Sequence, residues 1–285
     1  MCTPHDRHLP SRGGQVTPTV GEQFVQVFVH KIRVNVRPGT GVPIVLCNGI
    51  GVGLEVLDQL VEHLDPGIPV VRFDVPGTGG SPNSPLPYGF PYLAWVLGKV
   101  LDQLGYDHID LFGLSWGGAL AQQFAFQNPR RCRKLVLVST GTGAVMVPAH
   151  PRVLMKMVTP HRFSDPEYGA NIASNIYGGS VRCDPEPVAE LFGKHRAAGS
   201  LRGYLFQLLA GSVWTSVHAL WAVRQPTLIV AGTDDPIIPV VNAKLMHLLL
   251  PHSRLYLHDG GHVDVVLRAD ELAPVISRFL RCEDR

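Results

Sequence analysis

Asp107-His108-Ile109-Asp110-Leu111-Phe112-Gly113-Leu114-Ser115-Trp116-Gly117-Gly118-Ala119-Leu120-Ala121-Gln122-Gln123-Phe124-Ala125-Phe126 is the stretch that decides the fold. Its opening residues, Asp107 to Phe112, form a short alternating apolar run and predict a strand. The residues from Gly118 onward are good helix formers. Between them stands Gly113-Leu114-Ser115-Trp116-Gly117, a G-x-S-x-G sequence. That pattern alone is common by chance. With a strand before it and a helix after it, it predicts a nucleophile elbow, a sharp turn that leaves the Ser115 hydroxyl exposed. The flanking glycines let the backbone turn, and the helix start aims N–H groups at the site.

Two downstream segments supply partners for that serine. Gln225-Pro226-Thr227-Leu228-Ile229-Val230-Ala231-Gly232-Thr233-Asp234-Asp235-Pro236 reads as an apolar strand ending in a turn, and Asp235 is the candidate acid. Asp259-Gly260-Gly261-His262 follows the strand-like run Arg254–His258 and precedes an amphipathic helix near Leu272–Leu280; His262 is the candidate base. The chain order Ser, acid, His is that of the α/β-hydrolases. Three loops, each after a strand, would meet at the carboxyl edge of one sheet, where ligands bind in such sheets. The expected fold is α/β: an α/β-hydrolase with a mostly parallel central sheet, helices on both faces and a helical cap insertion.

Working outward gives the organisation. A polar tail, expected to be flexible, occupies residues 1–20, and the hydrolase core takes 21–140 and 224–285. The core begins with a hairpin, Gln23–Val29 and Lys31–Val36, then a buried strand, Pro43–Cys47, and a helix from about Glu55 to Leu64. Residues 141–223 break the strand–helix alternation, are rich in Pro, Met and aromatics, and read as a cap over the site. The loop Asn48-Gly49-Ile50-Gly51 follows the first parallel strand, so it should carry one oxyanion donor; Trp116, after the nucleophile, should supply the other. Ile50 is the expected loop donor, with Gly49 next. Gly49, Gly51 and Gly53, with Asp74 ending the next strand, imitate a dinucleotide fingerprint. The third glycine is misplaced, since Leu54 holds its position, and the upstream hairpin does not fit. Asn48, Gly49, Met146 and Trp214 are the residues expected to face substrate; Trp214, Trp221, Met146, Met155 and Met157 could all line an acyl channel, although as single residues they more often serve cap packing.

Composition narrows the function. The chain has 285 residues, 45% apolar and 17% charged, with net charge +2. That balance gives no electrostatic case for nucleic acid or an anionic membrane. Residues 1–20 lack the apolar core of a secretory signal, and no run of about 18 apolar residues predicts a transmembrane span. Five scattered cysteines, Cys2, Cys47, Cys132, Cys183 and Cys282, fit free thiols in a reducing compartment, so cytoplasmic residence is expected. His5 and His8 lie in the tail, and His247, His252 and His258 lack a closed ligand spacing. No metal and no organic cofactor is expected.

A closer resemblance rests on whole phrases: Asn48-Gly49-Ile50-Gly51, the stretch Phe73-Asp74-Val75-Pro76-Gly77 with Gly79-Gly80-Ser81, the Leu86–Pro91 segment, and Ser115-Trp116-Gly117-Gly118-Ala119-Leu120-Ala121-Gln122-Gln123-Phe124-Ala125. Gly143-Ala144-Val145-Met146-Val147-Pro148, Ile176-Tyr177-Gly178-Gly179, the Trp214–His218 segment and Gln225-Pro226-Thr227-Leu228 extend it through the cap. Over roughly residues 36–280 the chain resembles the intracellular medium-chain-length polyhydroxyalkanoate depolymerases. The resemblance implies Ser115 as nucleophile, Asp235 as acid and His262 as base. It also implies a polyester substrate, cleavage to 3-hydroxyalkanoic acids through an acyl-enzyme, and association with polymer granules. The chain departs from that family in its longer tail and in Val263-Asp264 after the histidine. Two alternatives stand beside this reading. One is a general carboxylesterase or lipase, or a perhydrolase-like enzyme, acting on small acyl esters. The other is a non-enzymatic ligand sensor or granule-coat protein.

Overall fold

Strands that are apolar on both faces organise the molecule. A computed structural model describes residues 20–158, 160–194 and 199–282. Nearly all of the expected N-terminal tail, with Cys2, His5 and His8, lies outside the described residues. A hairpin opens the fold: β1 (Gly21–Val27) pairs antiparallel with β2 (His30–Arg37). Then come β3 (Ile44–Cys47), a 3-10 turn (Leu54–Leu57), α1 (Asp58–His63), β4 (Val70–Phe73) and α2 (Phe90–Gln103). Next are β5 (Ile109–Leu114), α3 (Trp116–Gln127) and β6 (Cys132–Val138). The chain then leaves the sheet for α4 (Pro151–Met157), α5 (His161–Ser164), α6 (Pro166–Tyr177), α7 (Glu186–Lys194) and α8 (Leu201–Val213). It returns with β7 (Thr227–Gly232), α9 (Val241–Leu249), β8 (Ser253–His258), α10 (Asp264–Leu267) and α11 (Ala269–Arg281).

Among the described residues the strands form one eight-stranded sheet, in the order β1-β2-β4-β3-β5-β6-β7-β8. It is parallel from β4 to β8, and β2 joins it antiparallel. Successive side chains of a strand point to opposite faces. Val45, Leu111, Leu135, Leu137 and Ile229 therefore pack with α2, α3 and α9, whereas Leu46, Phe112, Val136, Val138 and Leu228 pack with α1 and α11. Burying each such side chain is worth roughly 1.5–3 kcal/mol. This two-sided burial is why the central strands read as unbroken apolar runs.

The chain order doubles back between β4 and β5, so β3 lies beside both. The loops after β3 and β5 therefore leave the carboxyl edge side by side, at a topological switch point. β5 runs two residues beyond its predicted end, because Gly113 pairs in register with both Cys47 and Leu137. The predicted helix from Glu55 is split. The Leu54 N–H is taken by the Asp74 carboxylate, a 3-10 turn follows, and the α-helix begins only at Asp58. The helical insertion is pinched at its base, where Gly143 bridges Thr215 and the Ala144 N–H donates to the Trp214 carbonyl at 2.7 Å.

Candidate active site

Ser115 sits where β5 becomes α3, with φ 53° and ψ −117°. A non-glycine residue there is strained by about 1–3 kcal/mol, so the surroundings must hold it. They do: the Ser115 N–H donates to the Val138 carbonyl at 2.9 Å, and its own carbonyl accepts from Gly118 N–H and the Thr140 hydroxyl. The flanking glycines are needed for contact. A Cβ on Gly117 would strike the Cys47 and Asn48 carbonyl oxygens, and one on Gly113 would press into Gly118.

The three predicted residues meet in one hydrogen-bonded chain. His262 Nε2 lies 2.9 Å from Ser115 Oγ, and His262 Nδ1 lies 2.8 Å from Asp235 Oδ2. The other Asp235 oxygen accepts the N–H groups of Ile237 and Ile238, both at 2.9 Å. A carboxylate so used is acceptor-only, so Nδ1 carries the imidazole proton and Nε2 is free to accept from Ser115. Asp235 and His262 are buried.

The neighbouring Asp234 points elsewhere. Its carboxylate takes a two-pronged ion pair from Arg182, at 2.5 and 2.8 Å, and the Gly179 N–H at 2.8 Å. The Arg182 hydrogen bonds hold Asp234 below the usual carboxylate range, against a smaller opposing effect of burial. The same stretch of insertion also grips the histidine loop. The Tyr177 carbonyl accepts the His262 main-chain N–H at 2.7 Å. Asp264, fully buried, accepts from the Ser180 hydroxyl and N–H and from the Gly261 N–H.

Both expected oxyanion donors lie beside Ser115. Among the described residues no protein acceptor takes the N–H of Ile50 or of Trp116. A Cβ on Gly49 would lie 3.9 Å from Ser115 Cβ, so this loop runs against Ser115. A cavity of about 400 Å³, measured to its open mouth, exposes Ser115 and His262 to substrate. Its walls are apolar for the most part: Ile50, Val52, Val56 and Leu114 from the core, Met157 and Phe192 from the insertion, and Ile237 and Val263 from the loops. Arg162 also borders it, buried, donating to the Tyr204 hydroxyl at 2.8 Å.

Of the expected substrate-facing residues, Gly49 lines this cavity and three do not. Asn48 turns inward, where its Nδ2 donates to the Gly53 carbonyl at 2.8 Å and braces the loop. Trp214 belongs to the core, its ring tilted at 59° against Phe90 with centroids 5.0 Å apart and its indole N–H on Gln123. Met146 packs over Gly141, since its thioether leaves no room for a Cβ there. The packing role of cap Met and Trp thus holds for these two. Sequence reasoning favoured packing for Met157, which lies in the cavity wall, and missed Phe192 and Arg162 there and Gln207 and Asp264 behind it. The dinucleotide-like glycines serve the loop instead: Asp74 is buried, pushed up to about 6 by that burial, and spends its oxygens on Leu54 and Gly80 N–H. His258 is a core residue whose burial lowers its pKa, and no cluster of metal-ligating side chains occurs among the described residues.

This fold and site define a class, the α/β-hydrolases. The family model described as "alpha/beta hydrolase fold" matches residues 42–176. The chain is similar in fold to bromoperoxidase from Bacillus anthracis, with TM-score 0.80 at 22% identity over 92% of this chain and 100% of that one. It is similar likewise to the enol-lactonase from Burkholderia xenovorans LB400, with TM-score 0.79 at 20% identity over 90% and 99%. In sequence it is 46% identical to the poly(3-hydroxyalkanoate) depolymerase of Ectopseudomonas oleovorans, over 91% of this chain and 92% of the relative. The chain belongs to the poly(3-hydroxyalkanoate) depolymerase family within that class, and it is an ester hydrolase.

Proposed function

We propose that the chain hydrolyses the ester bonds of medium-chain-length polyhydroxyalkanoate, releasing 3-hydroxyalkanoic acids. The observation that carries this is the Ser115–His262–Asp235 hydrogen-bonded chain opening on an apolar cavity. In this reading His262 takes the proton of Ser115 as Oγ attacks the ester carbonyl, and Asp235 steadies the imidazolium. The oxyanion rests on the Ile50 and Trp116 N–H groups. His262 then protonates the departing 3-hydroxyl, and water activated by the same imidazole frees the acid from Ser115. Residues 141–223 act as a cap that shields the acyl-enzyme, and no metal or organic cofactor takes part.

Two features support a water-insoluble apolar substrate. The cavity wall includes Phe192 and Met157, and the unbranched Met side chain can adapt to flexible alkyl branches. On the outer face of α8, Leu201, Leu205, Leu209 and Val213 are exposed at intervals of four residues. This stripe would lay the cap on a granule surface. Cytoplasmic residence fits the free thiols of Cys47, Cys132, Cys183 and Cys282. Among the described residues no helix is long and apolar enough to cross a membrane.

The test is a substrate series. Each methylene buried in the cavity contributes about 0.8 kcal/mol, a factor near four in kcat/KM. Poly(3-hydroxyoctanoate) should be degraded, poly(3-hydroxybutyrate) should be a poor substrate, and octanoyl esters should exceed acetyl esters. A preference for acetyl esters with no attack on polymer would leave a general carboxylesterase.

A further inference from the structure

The two oxyanion donors stand on unequal supports. Trp116 opens α3 and is fixed by the elbow. Ile50 stands in Asn48-Gly49-Ile50-Gly51-Val52-Gly53, where three glycines leave the backbone free to rearrange. Asn48 clamps the loop to Gly53 from within, as described above. The other clamp comes from the insertion, more than 150 residues along the chain. Gln207, in the middle of α8 and 1% exposed, accepts the Gly51 N–H on its side-chain Oε1 at 2.8 Å. An N–H can only donate, so chemistry fixes which end of the amide faces Gly51. The main-chain carbonyl of Gln207 accepts the Trp116 indole N–H at 2.9 Å. One residue thereby joins the piece that carries the Ile50 donor to the side chain of the residue that carries the other.

We propose that Gln207 is a positioning residue for the oxyanion hole. Its side-chain carbonyl holds the Ile50 N–H at the spacing from the Trp116 N–H that a tetrahedral oxyanion requires. The inference rests on the assignment of Ser115 as nucleophile. An oxyanion hole acts only when its donors are set about 2.7–3.1 Å from where the charged oxygen will be, before the charge appears. Without the clamp, the Gly51 N–H seeks another acceptor, and the glycine-rich loop can follow it. Ground-state binding should feel this little, because the cavity wall keeps its shape.

The test compares Gln207→Leu, which removes the acceptor at similar volume, with Gln207→Glu, which restores one. Gln207→Asn, whose reach is one methylene shorter, serves where the apolar variant does not fold. With a p-nitrophenyl octanoate substrate, Leu and Asn should lower kcat about 10- to 100-fold, approaching the loss of one oxyanion donor. KM should stay within about twofold, since ground-state binding is unaffected. A trifluoromethyl ketone, which forms the oxyanion on Ser115, should lose affinity in step with kcat/KM. Glu should recover most of kcat. The inference is overturned if kcat holds within threefold, if the loss lies in KM alone, or if Glu is as damaged as Leu. Wild type and Ser115→Ala run alongside. Wild-type activity that persists in Ser115→Ala would instead remove the nucleophile assignment itself.

Discussion

The carboxyl edge of the sheet and the helical insertion border the same cavity, yet they are built by different rules. On the sheet side each group is placed by the strands and turns of the sheet itself. β5 and α3 strain Ser115 into place, and the turn after β7 points Asp235 at His262 through N–H groups two and three residues on. On the insertion side long-range hydrogen bonds do the placing: Arg182 on Asp234, Ser180 on Asp264, Tyr177 on the His262 backbone, Gln207 on Gly51. The comparison teaches a division of labour. The sheet carries the groups proposed to change bonds, and the insertion holds the loops beside them.

If that division is right, the largest effects belong to the sheet side. Ser115→Ala and Asp235→Asn should each lower kcat by about four orders of magnitude with the fold intact, the Asn change by favouring the wrong histidine tautomer. Asp234→Asn, one residue away, should cost no more than several-fold. Purified variants assayed on one soluble ester decide it. Asp234→Asn falling as far as Asp235→Asn would erase the difference between the regions.

This contrast also governs what could be read in the sequence. Ser115, Asp235, His262, Ile50 and Trp116 were legible because each lies at a strand end marked by glycine, proline or a buried apolar run. The strands and a mostly parallel sheet were legible for the same reason, since two-sided burial writes itself as continuous Val, Ile and Leu; their order in the sheet was not. The insertion was legible only as a break in that rhythm. Met146 and Trp214 were chosen there for their chemistry, but no local pattern says which face of a packed helix meets the cavity. Gln207 looks like any polar residue in an apolar helix until its partner is seen 156 residues away. Asp264 had one signal: a charged residue two positions after the histidine, where the family resemblance leads one to expect an apolar one.

A middle-sized effect should come from Asp264. It is fully buried and accepts from Ser180 and Gly261, joining the insertion to the histidine loop. Asn at this position has one acceptor oxygen where the carboxylate has two, so one of the charge-assisted hydrogen bonds is lost, at about 1–3 kcal/mol. For a chain of this size that lowers Tm by roughly 2–4 °C per kcal/mol. Asp264→Asn should therefore melt several degrees lower, and kcat should fall about tenfold as His262 loses its fixed backbone. Calorimetry with steady-state kinetics reads both. A lowered Tm with full kcat would show that the insertion stabilises the histidine loop without setting its geometry.

The smallest effect should come from Arg182. Its ion pair with Asp234 is close to half exposed on both sides, and surface pairs of this kind are worth about 0–1 kcal/mol. Arg182→Gln should therefore lower Tm by no more than about 4 °C and leave kcat within threefold. The pH dependence follows from the direction of the Asp234 shift. Its folded pKa is depressed, chiefly by the Arg182 hydrogen bonds. The native state thus binds its proton less readily than the unfolded chain does, where the value is about 3.9. The contribution is fully present above that unfolded value and is lost as pH falls through the lower, folded one. The Tm gap between wild type and Arg182→Gln should be constant from about pH 8 to pH 5 and close in stronger acid. It should also shrink in 1 M salt, where the screening length is about 3 Å. A gap that widens in acid would mean that Arg182 acts through a group other than Asp234. A kcat loss beyond tenfold would mean that the acid turn, although sheet-borne, depends on the insertion for its geometry, as proposed for the loop that carries Ile50.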